Sequence, residues 1–215
     1  MKIIHSICAV LMALAFVSCD EHREFPDTAM KTCDILCTDG KVVRYEEMEA
    51  QGKKPIAVVF HINQTEDMEG TGYAVYLWDI APIAFCDSTG VKQSTSANPG
   101  AFDGNSNTYA MYASGVSPAA NAVFDLWHYG QSAYIPSLAQ MRLLHQAKNA
   151  VNQYIKMCGG DVIPDNPDEC WYWTSTEVKD QESAKAWLYS LSSGALQETP
   201  KLQSHKVRPI ITLYN

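Results

Sequence analysis

The chain has 215 residues, with 24 acidic against 16 basic side chains and a formal net charge of −8. Removing a leader that holds Lys2 would leave 15 basic against 24 acidic residues, a net charge of about −9; that balance disfavours nucleic acid or anionic lipid as a partner. Hydrophobic residues make up 47% of the chain, and the length suits one domain with a real core.

At the N-terminus, Lys2 precedes an apolar run from Ile7 to Val17. Such a run is a signal-peptide core, too short to cross a bilayer as a helix. Phe16-Val17-Ser18-Cys19 resembles a bacterial lipoprotein cleavage box, with Phe16 where leucine is usual. This predicts a signal peptide over 1–18, acylation at Cys19, a polar tether over 19–32 and one domain over 33–215. An ordinary secretory signal that happens to hold a cysteine is the alternative. The expected location is the outer membrane, held by lipid alone, with cell-surface exposure open; no later apolar run is long enough to span a membrane.

Of seven cysteines, Cys8 leaves with the leader and Cys19 takes lipid, so five remain. An odd number leaves at least one thiol without a partner in the chain. Cys158 and Cys170 flank a turn-rich loop and are the expected disulfide, since export permits one. Cys33 and Cys37, if both lie in one strand, are about 13 Å apart, too far for a bond that wants Cα atoms within ~7 Å.

The predicted elements follow in order. Asp39-Gly40 between apolar runs signals a hairpin. Residues 45–51 form a short helix stopped by Gly52. PIAVVFHI (55–62) and YAVYLWDI (73–80) read as buried strands joined by a polar loop. Residues 87–116 read as loop, with a helical turn near 108–113. Ser117-Pro118 opens a helix. Ser137, with Gln140 three places on, caps the longest helix, whose stripe runs Leu138, Met141, Leu144, Ala147, Val151, Ile155. Gly159-Gly160 ends it. AKAWLYSL (184–191) and HKVRPIITLY (205–214) are strands, the second with Pro209 at an edge or bulge. Strands at both ends with helices between them predict an α+β fold.

The ordered set DGNSNT (103–108), AYIPSLAQMRLL (133–144), YWTSTE (172–177), AWLYSLSSG (186–194) and VRPII (207–211) resembles the bacterial domain family related to the C-terminal domain of the Legionella collagen-like adhesin. Lipoproteins of gut-type Gram-negative bacteria carry similar domains. The resemblance spans roughly residues 40 to 214. It implies a C-type-lectin-like fold, with two helices packed on small antiparallel sheets. Trp173 is expected in the core under the long helix, with an aromatic ligand platform as the alternative. With Trp173 in the core, a neighbour such as Trp171 or Tyr172 is the exposed ring.

Chemistry-bearing motifs are few. Asp103, Asn105 and Asn107 alternate as in a calcium loop, but Thr108 stands where glycine is wanted and Ser114 where glutamate is wanted. Turn and cap roles are therefore expected, with no metal and no cofactor. The Glu-Pro-Asn and Trp-Asn-Asp signatures of calcium-dependent sugar lectins are missing. The histidines lack zinc spacing. No GxSxG, P-loop or GxGxxG occurs, so no catalytic residue and no enzyme are expected. The formylglycine-generating oxidases, which share the fold, are a weaker alternative.

Two functional expectations follow. The first is a lipid-anchored binding or adhesion module that recognises a glycan or a surface protein through loops 63–72 and 87–116. Tyr109, Tyr112, Trp171 and Tyr172 are its candidate contacts, loop packing being an equal alternative for the two tyrosines of the loop. The second is a structural subunit of a fimbrial or other cell-surface assembly.

Overall fold

The computed structural model describes residues 29–66, 68–128 and 131–214. The leader, Cys19 and most of the tether lie outside the described residues. The fold is α+β.

One sheet has the strand order β12-β4-β3-β1-β2. β1 (Ile35–Cys37) and β2 (Val42–Val43) form the hairpin signalled by Asp39-Gly40, and Gly40 takes φ 80 at its turn. β3 (Pro55–Ile62) and β4 (Gly72–Tyr76) are its buried centre. β12 (Ile210–Leu213) closes one edge, antiparallel to β4. The second sheet has the order β10-β9-β8-β11-β5. It is built from β5 (Ile80–Ala84), β8 (Trp171–Glu177), β9 (Lys185–Ser190), β10 (Leu196–Pro200) and β11 (Ser204–Val207), with β8 and β11 parallel and the other pairs antiparallel. β6 (Trp127–His128) and β7 (Gln131–Ser132) make a small ribbon.

The predicted C-terminal strand is split. β11 belongs to the second sheet and β12 to the first, and Arg208-Pro209 is the crossing point. Proline cannot donate to a ladder; here its carbonyl accepts from Tyr76 N–H at 3.0 Å. Arg208 is completely buried at the crossing. Its guanidinium donates to the carbonyls of Tyr76 (3.2 Å), Leu77 (2.9 Å) and Asp161, and it ion-pairs with Asp79 at 3.0 Å. The strand expected over 73–80 is likewise two: β4 ends at Tyr76 and β5 begins at Ile80 in the other sheet.

Among the described residues the helices are α1 (Tyr45–Ala50), α2 (Gly104–Ala113), α3 (Pro118–Phe124) and α4 (Leu138–Met157). Among the described residues two more helices are thus present than the resemblance implied, because the expected turn near 108 is a full helix and the short helix after Arg44 persists. Ser117 caps α3 by accepting from Ala120 N–H, and Ser137 and Gln140 form a capping box at α4.

Two apolar clusters fill the molecule. The stripe of α4 packs with Ile35, Val58, Phe60, Tyr73, Val75, Tyr172 and Tyr189. The other joins Trp173, Phe85, Met111, Ala119, Ala120, Val123 and Leu188. Trp173 is fully buried, as expected, but not under the long helix. Successive strand residues face opposite sides, so Tyr172 meets α4 while Trp173 turns to α2 and α3. Trp173 packs edge-on against Phe85 at 5.4 Å and its Nε1–H donates to Ile83 O at 2.9 Å. Burying a ring of this size removes roughly 150–250 Å² from water.

Candidate functional site

The segment from Asp87 to Asp103 is irregular. Polar side chains hold it rather than apolar ones. Glu177, at the end of β8, accepts from Gln93 N–H (3.0 Å) and from the Thr95 hydroxyl (2.8 Å). Lys201 ion-pairs with Glu177 and donates to Val91 O at 3.1 Å. The Lys201 ammonium also lies 5.3 Å from the centre of the Phe85 ring. Farther on, Asn107 accepts from Ser96 N–H (2.8 Å), donates to Asp103 Oδ1 (2.8 Å) and reaches Ser175 Oγ at 3.5 Å. Burial raises the Asp103 carboxyl above the usual carboxylate range. Arg142 donates to Pro99 O at 2.8 Å and the Ser137 hydroxyl to Ala101 O at 2.7 Å.

Three of the sequence motifs meet in this knot. Gly104 of DGNSNT lies against the capping box; a Cβ there would stand 2.3 Å from Gln140 Oε1 and 2.8 Å from Ser137 N. Thr108 accepts from Ile135 N–H at 2.9 Å, and Thr176 accepts from Leu138 N–H at 3.2 Å. Ser175 N–H donates to Pro136 O at 2.9 Å. Glu177, Lys201 and Asn107 were not singled out as a set by sequence reasoning. The signal that could have found Glu177 is a carboxylate ending an otherwise buried strand, which demands a partner.

The rim of the knot carries the exposed rings. Tyr109 and Tyr112 are 63% and 45% exposed on one face of α2. Tyr112 stacks on Phe124 of α3 at 4.2 Å, and Tyr109 lies 6.4 Å from the same ring. From Gly104 to Phe124 the chain carries no Asp, Glu, Lys or Arg. The 63–72 loop meets α2 through Glu69, which accepts from Asn105 Nδ2 (3.2 Å) and from the Tyr214 hydroxyl (2.5 Å). Beside it, a cleft of about 490 Å³ is lined by Ala29, Met30 and residues 62–66, 70 and 71.

The other candidate contacts are placed differently. Tyr172 is completely buried and its hydroxyl donates to Asp79 Oδ2 at 3.1 Å, so it is a core residue and no ligand contact. Trp171 is half-buried against the Trp173 cluster. The disulfide expected between Cys158 and Cys170 is not formed; both thiols are free. Cys170 Sγ lies instead 3.1 Å from Ser190 Oγ and 3.3 Å from Pro167 O. Among the described residues, no cluster of His, Cys, Asp and Glu could hold a metal ion, and no helix is long and apolar enough to cross a membrane.

Neither a protein-family model nor a curated protein matches the chain. Among solved structures, the chain is similar to a fimbrial protein from Bacteroides ovatus ATCC 8483, with a TM-score of 0.68 and 14% identity over 86% of this chain. The match covers 49% of that protein, so the present chain spans about half its length. At that identity the likeness is one of fold.

Proposed function

We propose that the protein is an exported, lipid-anchored domain that works at the cell surface as a subunit of a fimbrial-type assembly, on a C-type-lectin-like scaffold. The likeness of fold to a fimbrial protein carries this reading. The lipobox-like Phe16–Cys19 supports the anchor. The rigid backing of the 87–103 segment suits a face that must keep its shape against a partner. No reaction is assigned to it. The test is to shear surface filaments from the producing bacterium and probe them with antibody against this chain. The reading expects the chain in the filament fraction, released from membranes by Cys19→Ala. A chain confined to the periplasm as a soluble monomer would overturn it.

A second reading, a binding module for a glycan or a surface protein, is favoured by one observation. Tyr109 and Tyr112 present rings to solvent within a run, 104–124, that has no charged side chain, in a chain with net charge −8. Rings of this kind serve neutral ligands and protein anchors alike. A glycan array read with and without calcium tests it, and a blank array in both conditions leaves the assembly reading alone.

A further inference from the structure

Two cysteines far apart in the chain, Cys37 and Cys158, belong to one apolar cluster. Cys37 ends β1 and is paired with Pro55, the first residue of β3. Ile35 and Cys37 face the α4 side of the sheet, in the cluster that holds the helix stripe, while Leu36 faces the other cluster. The far end of α4 returns to the same edge. Leu77 N–H donates to Ile56 O, next to Pro55, and Asp161 N–H donates to Leu77 O. Gly160 packs on Leu77, where a Cβ would meet its carbonyl at 2.5 Å. Cys158, the C-cap of α4, is two residues before Gly160 and packs against the cluster that contains Cys37. The Cys37 thiol is among the groups that raise the Cys158 thiol, which burial and that neighbour push up to about 11. The Cys37 thiol donates to the Ile35 carbonyl at 3.7 Å, while Cys170 lies against Ser190 and Cys86 donates to the Ser88 carbonyl at 2.8 Å.

We infer that Cys37 and Cys158 are a disulfide-forming pair, closed when the chain meets an oxidising compartment. The bond would fasten the N-terminal hairpin to the end of the long helix. The step needs a disulfide-bearing oxidant. One thiolate attacks a sulfur of that oxidant and displaces its partner thiolate. The second cysteine thiolate then attacks the mixed disulfide, forming the Cys37–Cys158 bond and releasing the oxidant as a dithiol. Two electrons pass to the oxidant, and two protons leave the cysteines. Because burial raises both thiols in the folded chain, few thiolates are present at neutral pH. Closure in the folded protein is accordingly slow and quickens with pH.

The pairing goes beyond the assembly reading and rests only on its export step. The full-length protein is isolated from the producing cells in iodoacetamide without reductant, then denatured, digested and mapped by mass spectrometry. A parallel sample of reduced full chain in detergent is incubated with glutathione disulfide before alkylation. The expected result is a linked Cys37–Cys158 peptide pair, 2 Da lighter than the two thiols, with Cys33, Cys86 and Cys170 alkylated. Cys37→Ser should leave Cys158 fully alkylated. A link that appears in glutathione buffer but not in cells supports the pairing and counts against export. Full alkylation of all five cysteines in both samples, or a link from Cys158 to Cys33 or Cys170, overturns the pairing.

Discussion

Lys201 and Glu177 form an ion pair with no effective solvent access, their side chains 0% and 1% exposed. The pair joins the end of β8 to the turn after β10, and its spare hydrogen-bonding capacity is taken by Val91, Gln93 and Thr95. A stretch of chain without regular structure is thereby bound to the sheet by a charge pair inside the protein. Two consequences follow, one for stability and one for how the segment moves.

Breaking one half of the pair strands a buried charge. Glu177→Ala should cost about 3–5 kcal/mol, because the Lys201 ammonium is left among Phe85 and two backbone segments. The double variant Glu177→Gln with Lys201→Met should recover at least half of that loss, since no charge is then left inside. Urea unfolding of the two variants measures both values. Equal losses in the single and double variants would show that the pair's charge is not what matters.

Gly104 is needed for close approach. Its Cβ would press on Gln140 Oε1, Ile135 O and Ser137 N, two of them backbone atoms. Gly104→Ala should destabilise by roughly 1–3 kcal/mol, the range for overpacking, despite the better helix propensity of alanine. A stabilised variant would mean that the capping box and α2 are not in contact.

Tyr109 should behave in the opposite way. Its ring is mostly in water, so Tyr109→Ala should change stability by no more than about 0.5 kcal/mol. Tyr112→Ala removes the stack on Phe124 and should cost about 0.5–1.5 kcal/mol. The difference in thermal midpoints separates them. A large loss at Tyr109 would make it a packing residue and remove it from the candidate surface.

Burial holds the imidazoles of His61 and His205 below the ordinary histidine value of 6.5. Just below pH 6.5 the unfolded chain binds protons that the folded chain refuses, so stability rises with pH there. The contribution is complete above 6.5 and is lost as pH falls through the depressed values. The raised Asp103 carboxyl acts with the opposite sign, so the histidine effect is read by difference. His205→Phe should show a smaller drop in urea midpoint between pH 7 and pH 5 than the wild type. A larger drop in the variant would contradict the direction.

Much of the architecture was legible in the chain. The α4 stripe, its capping box, the Asp39-Gly40 hairpin and the buried strand 55–62 all follow from local rules, and all are present. The misplaced features share a cause. Periodicity reports that a strand is buried but not which sheet it joins, so the splits at Tyr76 and at Arg208-Pro209 were invisible. The same gap put Trp173 under the wrong helix, because a strand covered on both faces has two interiors. Cysteine spacing suggested Cys158 with Cys170, whereas Cys170 meets Ser190 and Cys158 packs against the cluster that holds Cys37. For the candidate surface, Tyr109 and Tyr112 stood out by being aromatic within a polar run, and they are exposed. Tyr172 stood out for the same reason and is buried. The Glu177–Lys201 pair needs three dimensions, since its partners come from residues 91 to 201.

The most direct test of this account is amide hydrogen exchange across the 87–103 segment. Gln93 N–H is bonded to Glu177 and Ser96 N–H to Asn107, both inside the buried knot. These two amides should exchange slowly, on the scale of neighbouring β8 amides, although they belong to no helix or strand, and Glu177→Ala should release Gln93 first. Exchange of both amides in the wild type at the rate of an open loop would contradict it, and the rigid face proposed for partner binding would go with it.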